Sequence, residues 1–71
     1  MNSETLKYLE RVKRFVEDWQ PYSHTATYAS GEVDAVRAWA LDTWPNVSVT
    51  HKAYGDEARI TFEFSDNAHQ S

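Results

Sequence analysis

Ser30–Pro45, with the sequence SGEVDAVRAWALDTWP, is the stretch that decides the fold, because it carries the start, face and stop signals of one short helix. Ser30 and Gly31 come just before the apolar positions and predict the N-terminal cap, and Pro45 predicts the end. Apolar residues recur between them at helical spacing, at Val33, Val36, Ala40 and Trp44. We therefore expect this helix to pack one face against a sheet built from the stretches around it.

The stretches on both sides of this helix are typical of strands, since larger or more apolar residues alternate along them with polar ones. Tyr22–Ala29 precedes the helix, and Val47–Lys52 and Ala58–Phe64 follow it. The last of these alternates most regularly and is the most apolar, so we expect it to occupy the centre of the sheet.

Residues 53–56 predict a hairpin between the last two strands, and two registers keep the apolar faces together. One register turns on Gly55-Asp56 and sets Lys52 opposite Arg59. The other turns on Ala53–Asp56 and sets Lys52 opposite Glu57. We favour the second register, because opposite charges across a strand pair are stabilising.

Upstream of the strands, Ser3–Gln20 predicts a further helix, capped by Ser3 and ended by Pro21. Its apolar positions share one side of the helix, with Tyr8 and Phe15 flanking them: Leu6, Leu9, Val12, Val16 and Trp19.

The element order α-β-α-β-β predicts an α+β domain in the form of a two-layer α/β sandwich. The first strand, the second helix and the second strand are expected to form a βαβ unit, and the hairpin adds the third strand. This gives a three-stranded mixed sheet with both helices on one face. Residues 1–64 form the single compact domain in this prediction, and residues 65–71 form a polar, flexible tail.

Composition narrows the class of protein. The chain has 71 residues, no cysteine and a net charge of −4. The acidity lies in residues 30–71, because the acids and bases of residues 1–29 cancel, and it argues against a general nucleic-acid binder. A small domain without disulfides suggests a cytoplasmic protein. The charged N-terminal stretch predicts neither a signal peptide nor a membrane span.

The residues that bear chemistry form no diagnostic pattern. His24 and His51 share the inward phase of their strands, but a metal site needs a third ligand beside them, such as His69 or an acid. The two glycines, Gly31 and Gly55, form no phosphate-binding loop. We therefore expect no enzyme, no cofactor, no metal and no catalytic residue.

The chain is rich in aromatic residues, with three Trp, four Tyr and three Phe. This is the feature of its composition that says most about function. Trp39 and Tyr54 are the aromatics that the packing pattern does not require, and tryptophan, tyrosine and arginine dominate binding hot spots. The predicted contact surface consists of these two with their polar neighbours: Arg37, Trp39, Asp42, Tyr54, Asp56 and Glu57.

These observations predict a small protein-interaction domain that binds another protein as an inhibitor or adaptor, with a homodimer as a related alternative. In size and element order it resembles stand-alone phage and bacterial accessory proteins, a likeness that implies no residue roles. One alternative is a nucleic-acid-associated protein that uses the basic stripe Lys7, Arg11 and Arg14 on the first helix. A second alternative is a small hydrolase or metal-dependent enzyme.

Overall fold

The computed structural model of the chain describes residues 1–65 and contains two helices and one sheet. The elements follow the predicted order: α1 (Ser3–Trp19), β1 (Ser23–Ala29), a 3-10 turn (Ser30–Glu32), α2 (Val33–Thr43), β2 (Val47–Tyr54) and β3 (Glu57–Phe64). All of the predicted tail except Ser65 lies outside the described residues. The chain is thus a small α+β domain, as the pattern of helices and strands predicts.

The sheet has the order β1-β3-β2, and both of its strand pairs are antiparallel. The central place of β3 is therefore confirmed, whereas the expected mixed sheet is wrong. The strands joined by α2 do run in the same direction, but β3 lies between them and they form no parallel pair. Because β3 is the most apolar strand, it gains most from neighbours on both sides and from a helix layer above it.

The hairpin takes the register that sets Lys52 opposite Arg59, so our preference for the pairing of Lys52 with Glu57 is wrong. Gly55 has a φ of 65°, and the two-residue turn Gly55-Asp56 puts glycine at the first central position, which suits a tight hairpin. Tyr54 also offsets the repulsion between the adjacent cations Lys52 and Arg59. The centre of its ring lies 5.6 Å from Lys52 Nζ and 5.4 Å from Arg59 Cζ.

The C-terminal ends of both helices lie close to their predicted positions, whereas the N-terminal caps differ from the predicted ones. Asn2 caps α1, since its side-chain oxygen accepts the Thr5 N–H at 2.8 Å. Gln20 closes α1 in the left-handed conformation, with φ 48°. Residues 30–32 form the 3-10 turn before α2, and the Glu32 carboxylate accepts the Asn2 N–H instead of capping α2.

Both helices pack on one face of the sheet and share a single core with it. Leu9, Val12 and Val16 enter the core from α1, and Val36 and Ala40 enter from α2. The sheet contributes the inward residues of all three strands: Tyr28, Val47, Ile60, Phe62 and Phe64. The outer face of the sheet carries threonines and charges, and neither helix of residues 1–65 covers it. Neither helix in the described part of the chain is long and apolar enough to cross a membrane.

Candidate functional site

The predicted contact residues lie in two different layers of the molecule. Trp39, on α2 with the exposed Arg37 and Asp42, is half-buried, and its ring meets Trp44 edge-on at 5.3 Å. Tyr54 lies on the outer face of the sheet, in phase with Lys52. The structure therefore assigns Trp39 to the rim of the core and separates it from Tyr54.

The hairpin end of the predicted surface forms a small polar cluster of its own. The exposed residues there are Tyr54, Asp56 and Glu57. The side chains of Lys52 and Arg59 lie over the ring of Tyr54. The Asp56 carbonyl accepts the Ser30 N–H at 2.9 Å, which attaches the turn to the end of β1. This cluster offers hydrogen bonds and one aromatic face, with charges of both signs.

A larger exposed aromatic group lies on α1 and just before β1, and the sequence reasoning missed it. This group, which we call the aromatic edge, consists of four half-exposed or exposed side chains: Tyr8, Phe15, Trp19 and Tyr22. Trp19 was expected in the core but is 76% exposed, stacked on Phe15 with ring centroids 6.4 Å apart. Its position as the last residue of α1, before Pro21, was the available signal, since a helix end can overshoot the sheet beneath it.

The aromatic edge lies along the free edge of the sheet, because α1 contacts β1 through it. The Tyr8 ring meets Tyr28 of β1 at 5.7 Å, and Phe15 meets His24 of β1 at the same distance. Strand β1 pairs only with β3, so its other side is open in the described structure. Aromatic side chains and unpaired backbone groups are thus available on one side of the molecule.

Strand β1 has no charged residue in its seven positions, SHTATYA. Natural sheets usually protect an open edge with lysine, proline or a bulge. The other edge strand, β2, follows this rule in part, because it carries Lys52. Strand β1 is therefore the less protected edge.

The basic stripe Lys7, Arg11 and Arg14 lies beside the aromatic edge on the outer side of α1. It lines a shallow groove with Phe15 and with two acids, Glu10 and Asp18. These carboxylates interrupt the positive charge, so the groove presents mixed charge instead of a continuous basic track.

The two histidines of the sheet have different surroundings and do not share a site. His24 lies between Phe15 and Phe62, with ring centroids 5.7 and 6.4 Å away. His51 is exposed on β2, on the far side of β3. Among residues 1–65, no cluster of three or more metal-ligating side chains is formed.

Two buried polar atoms lack a hydrogen-bond partner within the described residues, and both belong to β1. They are His24 Nε2 and the Tyr28 hydroxyl. Burial lowers the pKa of His24 below its ordinary 6.5. Burial, assisted by Tyr8, raises the pKa of Tyr28 well above its usual range. Both side chains are therefore neutral at pH 7.

The burial of His24 predicts a loss of stability in acid. Because its pKa is lower in the folded state, the unfolded chain binds more protons between that pKa and 6.5. The free energy of unfolding should therefore fall as pH drops through 6.5, and this contribution should level off below the lowered pKa. Urea unfolding at about pH 7.5 and about pH 5 measures the loss, which should be smaller in His24→Gln. The matched control, His51→Gln, changes an exposed histidine and should lose as much stability as the native chain. Equal acid losses in all three proteins would contradict the assignment to His24.

A second cleft lies where α1 and α2 end, and its volume is about 280 Å³. It is lined chiefly by Val16, Trp44, Val47 and Phe64, with Glu17 at its side. A single carboxylate beside an apolar wall provides no acid–base pair, so the cleft by itself indicates no reaction.

Comparisons of this chain with protein-family models, with curated proteins and with solved structures find no match.

Proposed function

We propose that this chain is a non-catalytic protein-interaction domain and that the aromatic edge, together with β1, is its contact surface. The observation that carries this proposal is Trp19, which is 76% exposed and stacked on Phe15 beside an open, uncharged strand. A protein that adds a strand to β1 would gain main-chain hydrogen bonds, and the aromatic edge would provide anchoring side chains.

Packing within the described residues leaves all four side chains of the aromatic edge substantially exposed. Single exposed apolar residues are normal, but the aromatic edge contains four exposed aromatic side chains, and two of them, Phe15 and Trp19, stack on each other. Stacking against each other gives Phe15 and Trp19 little burial, since both stay at least 41% exposed. A partner surface would remove this apolar area from water.

We further propose that the protein is a phage or bacterial accessory protein that acts in the cytoplasm as an inhibitor or adaptor. Its small size and the absence of cysteine support this proposal. The Trp39 group on α2 and the Tyr54 group on the hairpin remain proposed secondary contacts. We do not extend the proposal to nucleic acid, because Glu10 and Asp18 interrupt the basic stripe.

The test is to express a tagged chain together with untagged copies in cells of its source. The proteins that bind the tagged chain are then recovered and identified. The native chain should retain a protein, whether an untagged copy or a different one. Trp19→Ala combined with Tyr22→Ala should reduce that recovery at least about tenfold, since hot-spot truncations cost about 2 kcal/mol or more. The matched comparison, Tyr54→Ala, removes an aromatic side chain about as exposed as Tyr22 from the proposed secondary contact and should reduce recovery clearly less than the double variant does. Equal recovery by the double variant and the native chain would refute the aromatic edge as the contact surface.

A further inference from the structure

We propose that the partner of the aromatic edge is a second copy of this chain, with the two β1 strands paired antiparallel about Ala26. This inference rests on the proposed function, because it takes the aromatic edge as the contact surface and names what binds there. The product would be a twofold dimer in which one continuous sheet runs through both copies, with the helices of both on the same face.

The hydrogen bonds of β1 establish which backbone groups are free for such a pairing. At one end of the β1–β3 ladder, the Tyr22 carbonyl accepts the Phe64 N–H, and at the other end Ser30 donates to Asp56. In an antiparallel pair the hydrogen-bonded positions alternate, so even-numbered residues of β1 face β3. The N–H and carbonyl groups of Thr25 and Thr27 therefore face the open edge.

The sequence of β1 is self-complementary about its central residue. Antiparallel pairing about Ala26 sets Thr25 of each copy opposite Thr27 of the other, and these are the residues whose backbone groups face outward. The small Ala26 side chains meet on the twofold axis. All seven residues of β1 are paired in this register, and the threonine pairs on the outer face are favourable cross-strand neighbours.

The same register sets opposite each other the two side chains whose buried polar atoms lack a hydrogen-bond partner within the described residues. His24 of each copy lies opposite Tyr28 of the other, on the face beneath the helices. Within the described residues of one copy, His24 Nε2 and the Tyr28 hydroxyl are buried without a hydrogen-bond partner, so each ring would have to turn toward the axis to meet the other. A neutral histidine nitrogen accepts and a tyrosine hydroxyl donates, so the chemistry of the two groups matches.

The charge distribution favours a second copy over a charged partner. Residues 1–29, which contain α1 and β1, have equal numbers of acids and bases, whereas the whole deficit of the chain lies in residues 30–71. Two copies that meet through α1 and β1 therefore bring neutral halves together and keep the acidic halves apart. The rings of Tyr8 and Phe15, which contact Tyr28 and His24, would be neighbours across the axis.

The test is the mass of the purified chain in solution, measured by sedimentation equilibrium over a concentration series. The native chain should approach twice its mass of 8.2 kDa and then reach a plateau. Thr27→Pro removes an outward-facing N–H from each copy and should raise the dimer dissociation constant more than tenfold, while leaving the β1–β3 ladder intact. Thr27→Lys keeps the N–H but places a cation at the edge, and it should also raise the dimer dissociation constant.

The matched control is His51→Pro, which places proline on the other edge strand. His51 is exposed and lies out of phase with Tyr54, the residue that closes the two-residue turn, so its N–H also faces outward. This variant should dimerise like the native chain. Circular dichroism of each variant checks that the fold is retained.

A native chain that stays at 8.2 kDa at every concentration, or a mass that rises without a plateau, would overturn the dimer. A dimer weakened equally by His51→Pro would overturn the choice of edge. The proposed function would survive a monomeric result if a different protein were captured through the aromatic edge. It would fail separately if the capture did not depend on Trp19 and Tyr22.

Discussion

Replacement of Phe62 with alanine is expected to leave the chain unfolded at about 25 °C. Phe62 is fully buried at the middle of the central strand, where its ring meets Trp44 and His24 at 5.9 and 6.4 Å. Truncation of a buried phenylalanine costs about 3–5 kcal/mol, and a single core in a chain of this size supplies about the same amount. The loss therefore removes nearly all of the stability.

Far-UV circular dichroism of the purified variant, with and without urea, measures this effect. The matched control is Phe15→Ala, which removes the same side chain from a position that is 41% exposed. It should remain folded, with a loss of about 1 kcal/mol or less, because much of that surface is already in water. If Phe62→Ala unfolded at the same urea concentration as the native chain, the assignment of this residue to the core would be wrong.

The second large effect is expected at Leu9, where alanine should cost about 2–5 kcal/mol. Leu9 is fully buried where α1 packs on the sheet, and removal of its side chain leaves a cavity between the two layers. The urea midpoint of unfolding should fall sharply, with little change in the slope of the transition.

Leu6 on the same helix provides the control for Leu9. The two leucines belong to the same apolar stripe in the sequence, but Leu6 is 41% exposed and Leu9 is 0% exposed. Leu6→Ala should therefore cost clearly less than Leu9→Ala. Equal losses would show that α1 is rotated or shifted relative to the packing described here.

The order and type of the elements could be predicted from local patterns. The alternation of β3 identified the central strand, because a strand with a helix layer on one face and solvent on the other must alternate. Pro21 and Pro45 marked helix ends correctly, because proline cannot continue a helix. The strand pairing could not be derived in the same way. A βαβ order fixes the relative direction of β1 and β2, but it does not prevent β3 from lying between them.

The hairpin register shows how a local rule can be outweighed. The opposite charges of Lys52 and Glu57 favoured one pairing, but an exposed ion pair contributes little. A glycine with positive φ in a two-residue turn, and a tyrosine ring placed between two cations, favour the other pairing.

The candidate site was less predictable than the fold. Helical spacing put Trp19 on the core side of α1, but spacing does not tell how far a sheet extends beneath a helix. Trp39 was chosen because the apolar stripe did not require it, and the structure shows that Trp44 gives it a packing partner. Whether an aromatic side chain is buried thus depended on tertiary contacts that one-dimensional periodicity does not contain.

The central position of β3 has a consequence for how the chain reaches its fold. Strand β2 can pair with β3 as soon as the two-residue loop between them forms. Such a short loop closes quickly and at a small entropic cost. Strand β1 can pair only once β3 is present, because its partners are distant in the sequence. Ser23, for example, pairs with Glu63. On a ribosome, β1 leaves the tunnel ahead of β3, the strand with which it pairs in the described sheet. The uncharged segment 23–29 would spend that interval without a strand beside it, so a nascent chain is most exposed to mispairing before residues 57–64 appear.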